Sequence, residues 1–168
     1  MNQLRAMLAL APAGPRIEFG VFRGATLAEI SRHVGRTIGV DTFEGMPEPT
    51  ERDIKDGWNP YPKGRLSAPM ALAARTAPKA ELIRGYVPEV LSEISATGFG
   101  FAHLDMDQYD STMAALEWVW PRMASGGIVY CDDWFADRDW LAGGAINEFA
   151  RKVWPMTGTA GRKAWWIR

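Results

Sequence analysis

The chain has 168 residues, 47% of them hydrophobic, which suffices for one domain with a real core. Its 19 Lys and Arg against 20 Asp and Glu leave a net charge of −1 without any basic run, which argues against a nucleic-acid partner. No apolar run approaches the roughly 18 residues of a membrane span, and the single cysteine, Cys131, excludes an intrachain disulfide and points to a reducing cytoplasm.

The opening "MNQLRAMLALAPAGP" has one basic residue ahead of an apolar stretch, a weak secretory signal, because "RIEFGVF" behind it reads as an integral strand. "PRIEFG" is a first strand ending at Gly20, and "ATLAEISRHV" an amphipathic helix with Leu27, Ile30 and Val34 on one face. "TIGVD" is a second strand. Residues 44–66 are rich in proline and glycine and form a long excursion, expected to act as a mobile lid. "APMALAARTA" is helical, "AELIRG" a third strand, and "VPEVLSEISA" a helix begun by proline. "FGFAHLD" is a fourth strand, and "STMAALEWVWPRM" a helix with Ser111 as its cap. "GIVYCDD" is a fifth strand and "GGAINEFARKV" a further helix. "WPMTG" and "KAWWIR" then make a closing hairpin.

No internal repeat or linker divides the chain, so residues 1–168 are read as one domain. Strands alternating with helices predict the α/β class: a right-handed, mostly parallel twisted sheet with helices on both faces and a C-terminal antiparallel hairpin. In such sheets ligands bind outside the carboxyl ends of the strands.

Chemistry-bearing residues gather at those ends. In "EFGVFRGATL", Gly20 and Gly24 allow a tight turn and close ligand approach, and the next helix offers its N-terminus to an anion. The spacing is not GxGxxG, which disfavours a nicotinamide cofactor. Glu18 is suited to a positive ligand group such as an amino-acid ammonium. Asp41 ends the second strand 17 positions after Gly24, where a carboxylate commonly accepts from ribose hydroxyls; capping of a turn is the other reading. In "HLDMDQYDST", His103, Asp105 and Asp107 share one side of an extended strand. Asp132 and Asp133 end the next strand. Such oxygen ligands without a His/Cys cluster favour Mg²⁺, Mn²⁺ or Ca²⁺ over zinc, and a cation relieves their mutual repulsion. Helix capping is the alternative for single members, above all Asp110.

"IEFGVFRGAT", "VDTFEGMPEP", "HLDMDQYDST" and "GGIVYCDDW", in this order, resemble the macrocin O-methyltransferase family over about residues 16–168. That resemblance implies a Rossmann-like class I methyltransferase fold. It also implies S-adenosylmethionine (SAM) and Mg²⁺ (or Mn²⁺) as cofactors, and methylation of a sugar hydroxyl on a natural product. It assigns Glu18, Gly20 and Gly24 to the methionine part of SAM, and Asp41 and Thr42 to the ribose. Thr26, Gly85 and Tyr86 complete the cofactor set. It assigns Asp105, Asp132 and Asp133 to the metal and Asp107 to the general base, with His103 as the rival base. Two departures stand out. The first strand comes so early that the N-terminal cover of longer relatives is expected to be missing, which leaves room for a homo-oligomer to complete the site. Met106 occupies a place where a smaller residue is expected. Trp58, Tyr61 and Trp134 are candidate acceptor contacts.

On this reading the partner is a small hydroxylated acceptor. A metal lowers the pKa of its hydroxyl, and Asp107 takes the proton. A nicotinamide-dependent oxidoreductase, a metal-dependent phosphoesterase and a non-catalytic SAM- or nucleoside-binding module remain the rival classes.

Overall fold

The computed structural model describes residues 2–168. Five parallel strands form most of a seven-stranded sheet: β1 (Arg16–Phe19), β2 (Thr37–Asp41), β3 (Glu81–Arg84), β4 (Phe99–Leu104) and β5 (Met123–Cys131). β6 (Gly158–Ala160) and β7 (Lys163–Ile167) close it as an antiparallel hairpin. The order is β3-β2-β1-β4-β5-β7-β6. From β1 the chain builds outward to β2 and β3, then returns to place β4 on the other side of β1. Neighbouring connections therefore leave in opposite directions at the β1/β4 boundary, and a crevice opens beyond the strand ends there.

The sheet's pleat sorts its side chains between two packed faces. Ile17, Phe19, Phe99 and Val129 join a core completed by Leu116 and Val119 of α4 (Tyr109–Val119) and by Ile146 and Phe149 of α5 (Leu141–Lys152). Phe101, Ile128 and Tyr130 point the other way and pack on Leu4 and Leu8 of α1 (Asn2–Leu10). The N-terminal apolar stretch is thus a helix covering the sheet.

Several expected elements differ. The helix after β1, α2 (Ala25–Ile30), stops before Val34, which is 94% exposed. The chain turns there through Gly35 at φ +123°, and the buried Arg16 guanidinium donates to the Val34 carbonyl at 2.7 Å, satisfying the turn instead of another helical turn. "VPEVLSEISA" forms only a 3₁₀ segment, Glu89–Glu93. The hairpin strand expected at "WPMTG" begins at Gly158. Neither Ser111 nor Asp110 caps α4: both lie inside its first turns, and the Ser111 hydroxyl donates back to the Gln108 carbonyl at 3.4 Å.

Candidate active site

The turn after β1 is built by Asp41. Its Oδ2 accepts the Val21 and Phe22 amides at 2.8 and 2.7 Å, and its Oδ1 accepts the Phe43 amide at 2.7 Å. One carboxylate at the end of β2 therefore shapes two adjacent loops through charge-assisted bonds. Gly20 passes through this turn at φ +87°, and a Cβ there would collide with the Asp105 carbonyl oxygen. The glycine is required by the close approach of the β1 and β4 exits. Gly24 (φ +82°) precedes α2, and its missing Cβ leaves space for Ala73 of α3 (Met70–Thr76), 3.1 Å from where that atom would lie.

A cavity of about 320 Å³ lies beyond these strand ends, within the range of small-molecule sites. Of the residues singled out in the sequence, Gly20, Asp41, Thr42, Gly85, Tyr86, Asp105, Met106, Asp107, Ser111 and Asp133 line it. Glu18, Gly24, Thr26, His103 and Asp132 do not. Phe22, Met46, Pro47 and Leu66 line it as well and were not anticipated. The "EGMP" tetrad beside Asp41 carried the available signal for Met46 and Pro47.

The excursion forms one wall and is closed at its base. Met46 N–H donates to the Arg65 carbonyl at 2.8 Å, and Gly64 N–H to the Met46 carbonyl at 2.9 Å. Its middle is tied to the helices. Asp53, 1% exposed, accepts the Tyr109 amide at 2.7 Å, and Lys55 pairs with Asp139 at 2.8 Å. Trp58 packs against Trp140 with ring centroids 5.6 Å apart. The loop expected to act as a mobile lid is anchored at its base and by a buried carboxylate.

Behind the cavity runs a buried polar row. The register of β1 on β4 sets Glu18 beside His103, both pointing to the face opposite the main core. His103 Nδ1 lies 2.9 Å from Glu18 Oε1 and Nε2 3.4 Å from Asp132 Oδ1, while its ring stacks on Tyr130. Burial pushes the Glu18 carboxyl up to about 7 against the pull of His103. Burial alone would lower the His103 pKa, but its hydrogen bonds to Asp132 and Glu18 prevail and raise it to about 10. Glu18 is therefore a buried partner of His103 and is absent from the cavity wall.

The carboxylates occupy three different settings. Asp105 makes no ion pair or side-chain hydrogen bond among the described residues, and burial lifts its pKa to about 6. Burial and the neighbouring Asp133 raise Asp107 to about 8, with the Tyr61 hydroxyl opposing the shift. Asp132 is lowered: burial disfavours its charge, but bonds to His103 and Lys163 outweigh it. Asp133 pairs with Arg162. Asp107 and Asp133 both take left-handed backbone conformations, at φ +62° and +60°. Asp tolerates that region better than most residues, and such conformations cluster at functional sites.

A divalent cation fits the donor chemistry. Carboxylate oxygens of Asp105 and Asp132 lie within 4.8 Å of each other and of a His103 ring nitrogen, and Asp105 has acceptor capacity with no partner; with both His103 nitrogens engaged, the carboxylates are the available donors. The expected third carboxylate, Asp133, is instead engaged by Arg162.

Residues 17–134 match the family described as a methyltransferase domain. The chain belongs to that family. It is 27% identical to 8-demethyl-8-(2,3-dimethoxy-α-L-rhamnosyl)-tetracenomycin-C 4′-O-methyltransferase of Streptomyces olivaceus, a match covering 80% of this chain and 58% of that protein. The chain thus spans less than two thirds of that relative's length. The O-methyltransferase NovP superposes with a TM-score of 0.80 at 19% identity, over 99% of this chain and 79% of NovP. CalS11, a calicheamicin methyltransferase, superposes with a TM-score of 0.73 at 25% identity, again over 99% and 79%. The sheet order and closing hairpin are those of this methyltransferase fold, as the motifs implied. No described helix is long and apolar enough to cross a membrane.

Proposed function

We propose that the chain is a SAM-dependent O-methyltransferase acting on a hydroxyl of a small glycosylated molecule. One observation carries this reading. Gly20, Asp41, Thr42, Gly85 and Tyr86, the expected cofactor wall, share a single cavity with Asp105, Asp107 and Asp133. The sugar-directed relatives supply the acceptor class: the tetracenomycin enzyme is named for a rhamnosyl substrate, and CalS11 is also described as a TDP-rhamnose 3′-O-methyltransferase.

Bound SAM supplies a methyl group on a sulfonium, already activated for transfer. A divalent cation on Asp105, Asp132 and Asp133 would supply Lewis acidity that lowers the pKa of the acceptor hydroxyl. The chain's own residues do the rest. Asp41 holds the turn over which the cofactor lies, and the Tyr86 hydroxyl, 3.2 Å from Glu44, fixes the far rim. Asp107 receives the acceptor proton, and a carboxylate raised to about 8 suits a general base working near neutrality. His103 suits that role poorly, because it is buried and both ring nitrogens are engaged. The buried thiol of Cys131 fits a reducing cytoplasm.

Titration calorimetry with SAM, followed by methyl-transfer assays on TDP-rhamnose and simple rhamnosides with and without EDTA, tests the reading. SAM binding and EDTA-sensitive methylation of a sugar hydroxyl are expected. Absence of SAM binding would overturn the enzyme assignment, and full activity in excess EDTA would remove the metal from it.

A further inference from the structure

The β6–β7 hairpin delivers two cations to two of the carboxylates that the proposed metal would need. β7 runs antiparallel to β5 with Ala164 opposite Cys131, so Lys163 falls beside Asp132, the residue after Cys131. The ladder continues past the strand ends, where Trp134 N–H donates to the Arg162 carbonyl at 3.0 Å. That bond fixes the backbone of Arg162 against the Asp132–Asp133 pair. The Lys163 ammonium sits on Asp132 Oδ2 and the Arg162 guanidinium on Asp133 Oδ1. Arg162 is also held over the Phe135 ring, 5 Å away to the nearest ångström (4.8 Å). Asp105, just past the end of the neighbouring strand β4, has no such partner among the described residues.

Side chains of this chain therefore already relieve part of the repulsion that made the acidic clustering costly. An ammonium and a divalent cation held by one carboxylate compete for its lone pairs and repel each other at such separations. A group that must leave before a ligand binds weakens the apparent affinity for that ligand. Lys163 is suited to leaving: its charge is on a flexible four-carbon stem, and its side chain keeps 31% exposure.

We propose that Lys163 and Arg162 are an internal counter-ion pair that neutralises Asp132 and Asp133 in the metal-free protein and is displaced when a divalent cation binds, so that this pair sets the metal affinity. The proposal rests on the metal-assisted reading above. It assigns the hairpin a role in admitting the ion, beyond covering β5.

Mn²⁺ is the probe, with free ion followed by electron paramagnetic resonance and heat by calorimetry, on wild type, Lys163→Gln, Arg162→Gln and Asp132→Asn. Removing Lys163 should tighten Mn²⁺ binding by about twofold to fivefold, the range of one partly exposed ion pair. Removing Arg162 should act in the same direction but less, because its side chain is 58% exposed. Both variants should melt lower than wild type without metal and recover the difference with saturating Mn²⁺. Wild-type binding that is lost in Asp132→Asn yet unchanged or weakened in Lys163→Gln overturns the counter-ion proposal alone. No Mn²⁺ binding by wild type or by Lys163→Gln overturns the proposal together with the metal-assisted reading. Binding that appears only in Lys163→Gln supports the proposal.

Discussion

Asp53 caps α4 from 56 positions away, its Oδ1 accepting the Tyr109 amide at 2.7 Å while Oδ2 accepts the Thr50 amide at 2.9 Å. A helix start normally finds its acceptor in its own flanking residues. Here the excursion provides it, so the first turn of α4, which follows Asp107 and Gln108, draws one of its acceptors from the excursion.

Asp53→Ala should therefore cost about 1–2 kcal/mol, the range of a lost helix cap. Hydrogen exchange should rise both in the first turn of α4 and in the excursion. In wild type, the amides of Met46, Asp53 and Gly64 should exchange slowly even without ligand, because each has a backbone acceptor. Uniformly fast exchange over residues 44–66 in the wild-type protein would show that these tethers do not hold in solution.

Gly20 should tolerate no side chain. Gly20→Ala combines the strain of φ +87° with a collision against the Asp105 carbonyl, so about 2–4 kcal/mol of stability should be lost together with SAM binding. Denaturant unfolding and calorimetry check both effects. A variant that kept wild-type stability while losing SAM would place the clash with the cofactor rather than with β4.

Asp107→Asn should keep the fold, since Asn adopts the left-handed conformation as readily as Asp. SAM binding should persist and methyl transfer should slow by roughly 10²–10⁴-fold, the cost of a lost general base. In wild type the rate should climb with pH as the Asp107 carboxyl loses its proton, at a pH below the metal-free value of about 8 once a cation neutralises Asp105 and Asp133. A single-turnover rate unchanged by the substitution would exclude Asp107 as base.

Metal-free stability should fall as pH rises. Glu18, Asp105 and Asp107 have folded-state values near 7, 6 and 8, against about 4 when unfolded, so the native state holds more protons between those limits. Stability then decreases with pH across that window. His103, raised to about 10, acts in the same direction: its contribution is complete below about 6.5 and lost as pH passes 10. The depressed Asp132 works oppositely, losing its contribution as pH falls below the ordinary aspartate value. Melting temperature should peak between about pH 4 and 5 and drop by several degrees by pH 9, measured at fixed ionic strength without metal. A flat profile, or a maximum above pH 8, would contradict these shifts.

The parallel strands were legible because each is an apolar run bounded by turn residues, and the carboxylates at their ends followed from position alone. Partnerships were not legible. Glu18 read as a cofactor contact, yet strand register sets it beside His103, and a pairing between strands leaves no local trace. Val34 continued a helical stripe, but Arg16 claims its carbonyl from 18 positions away. The caps expected at Ser111 and Asp110 were local guesses, and the actual acceptor comes from the far loop. The carboxylate cluster suggested a missing cation, but Arg162 and Lys163 reach it only through the β5–β7 pairing.

The same pairing has a practical consequence for anyone trimming or tagging this protein. β7 is hydrogen-bonded to β5 from Ile128 to Cys131, and the Arg168 amide still donates to the Gly127 carbonyl at 2.9 Å. Deleting the last few residues would leave Ile128, Val129 and Tyr130 as a bare apolar edge, able to recruit a strand from another molecule. Removing β7 should therefore drive aggregation.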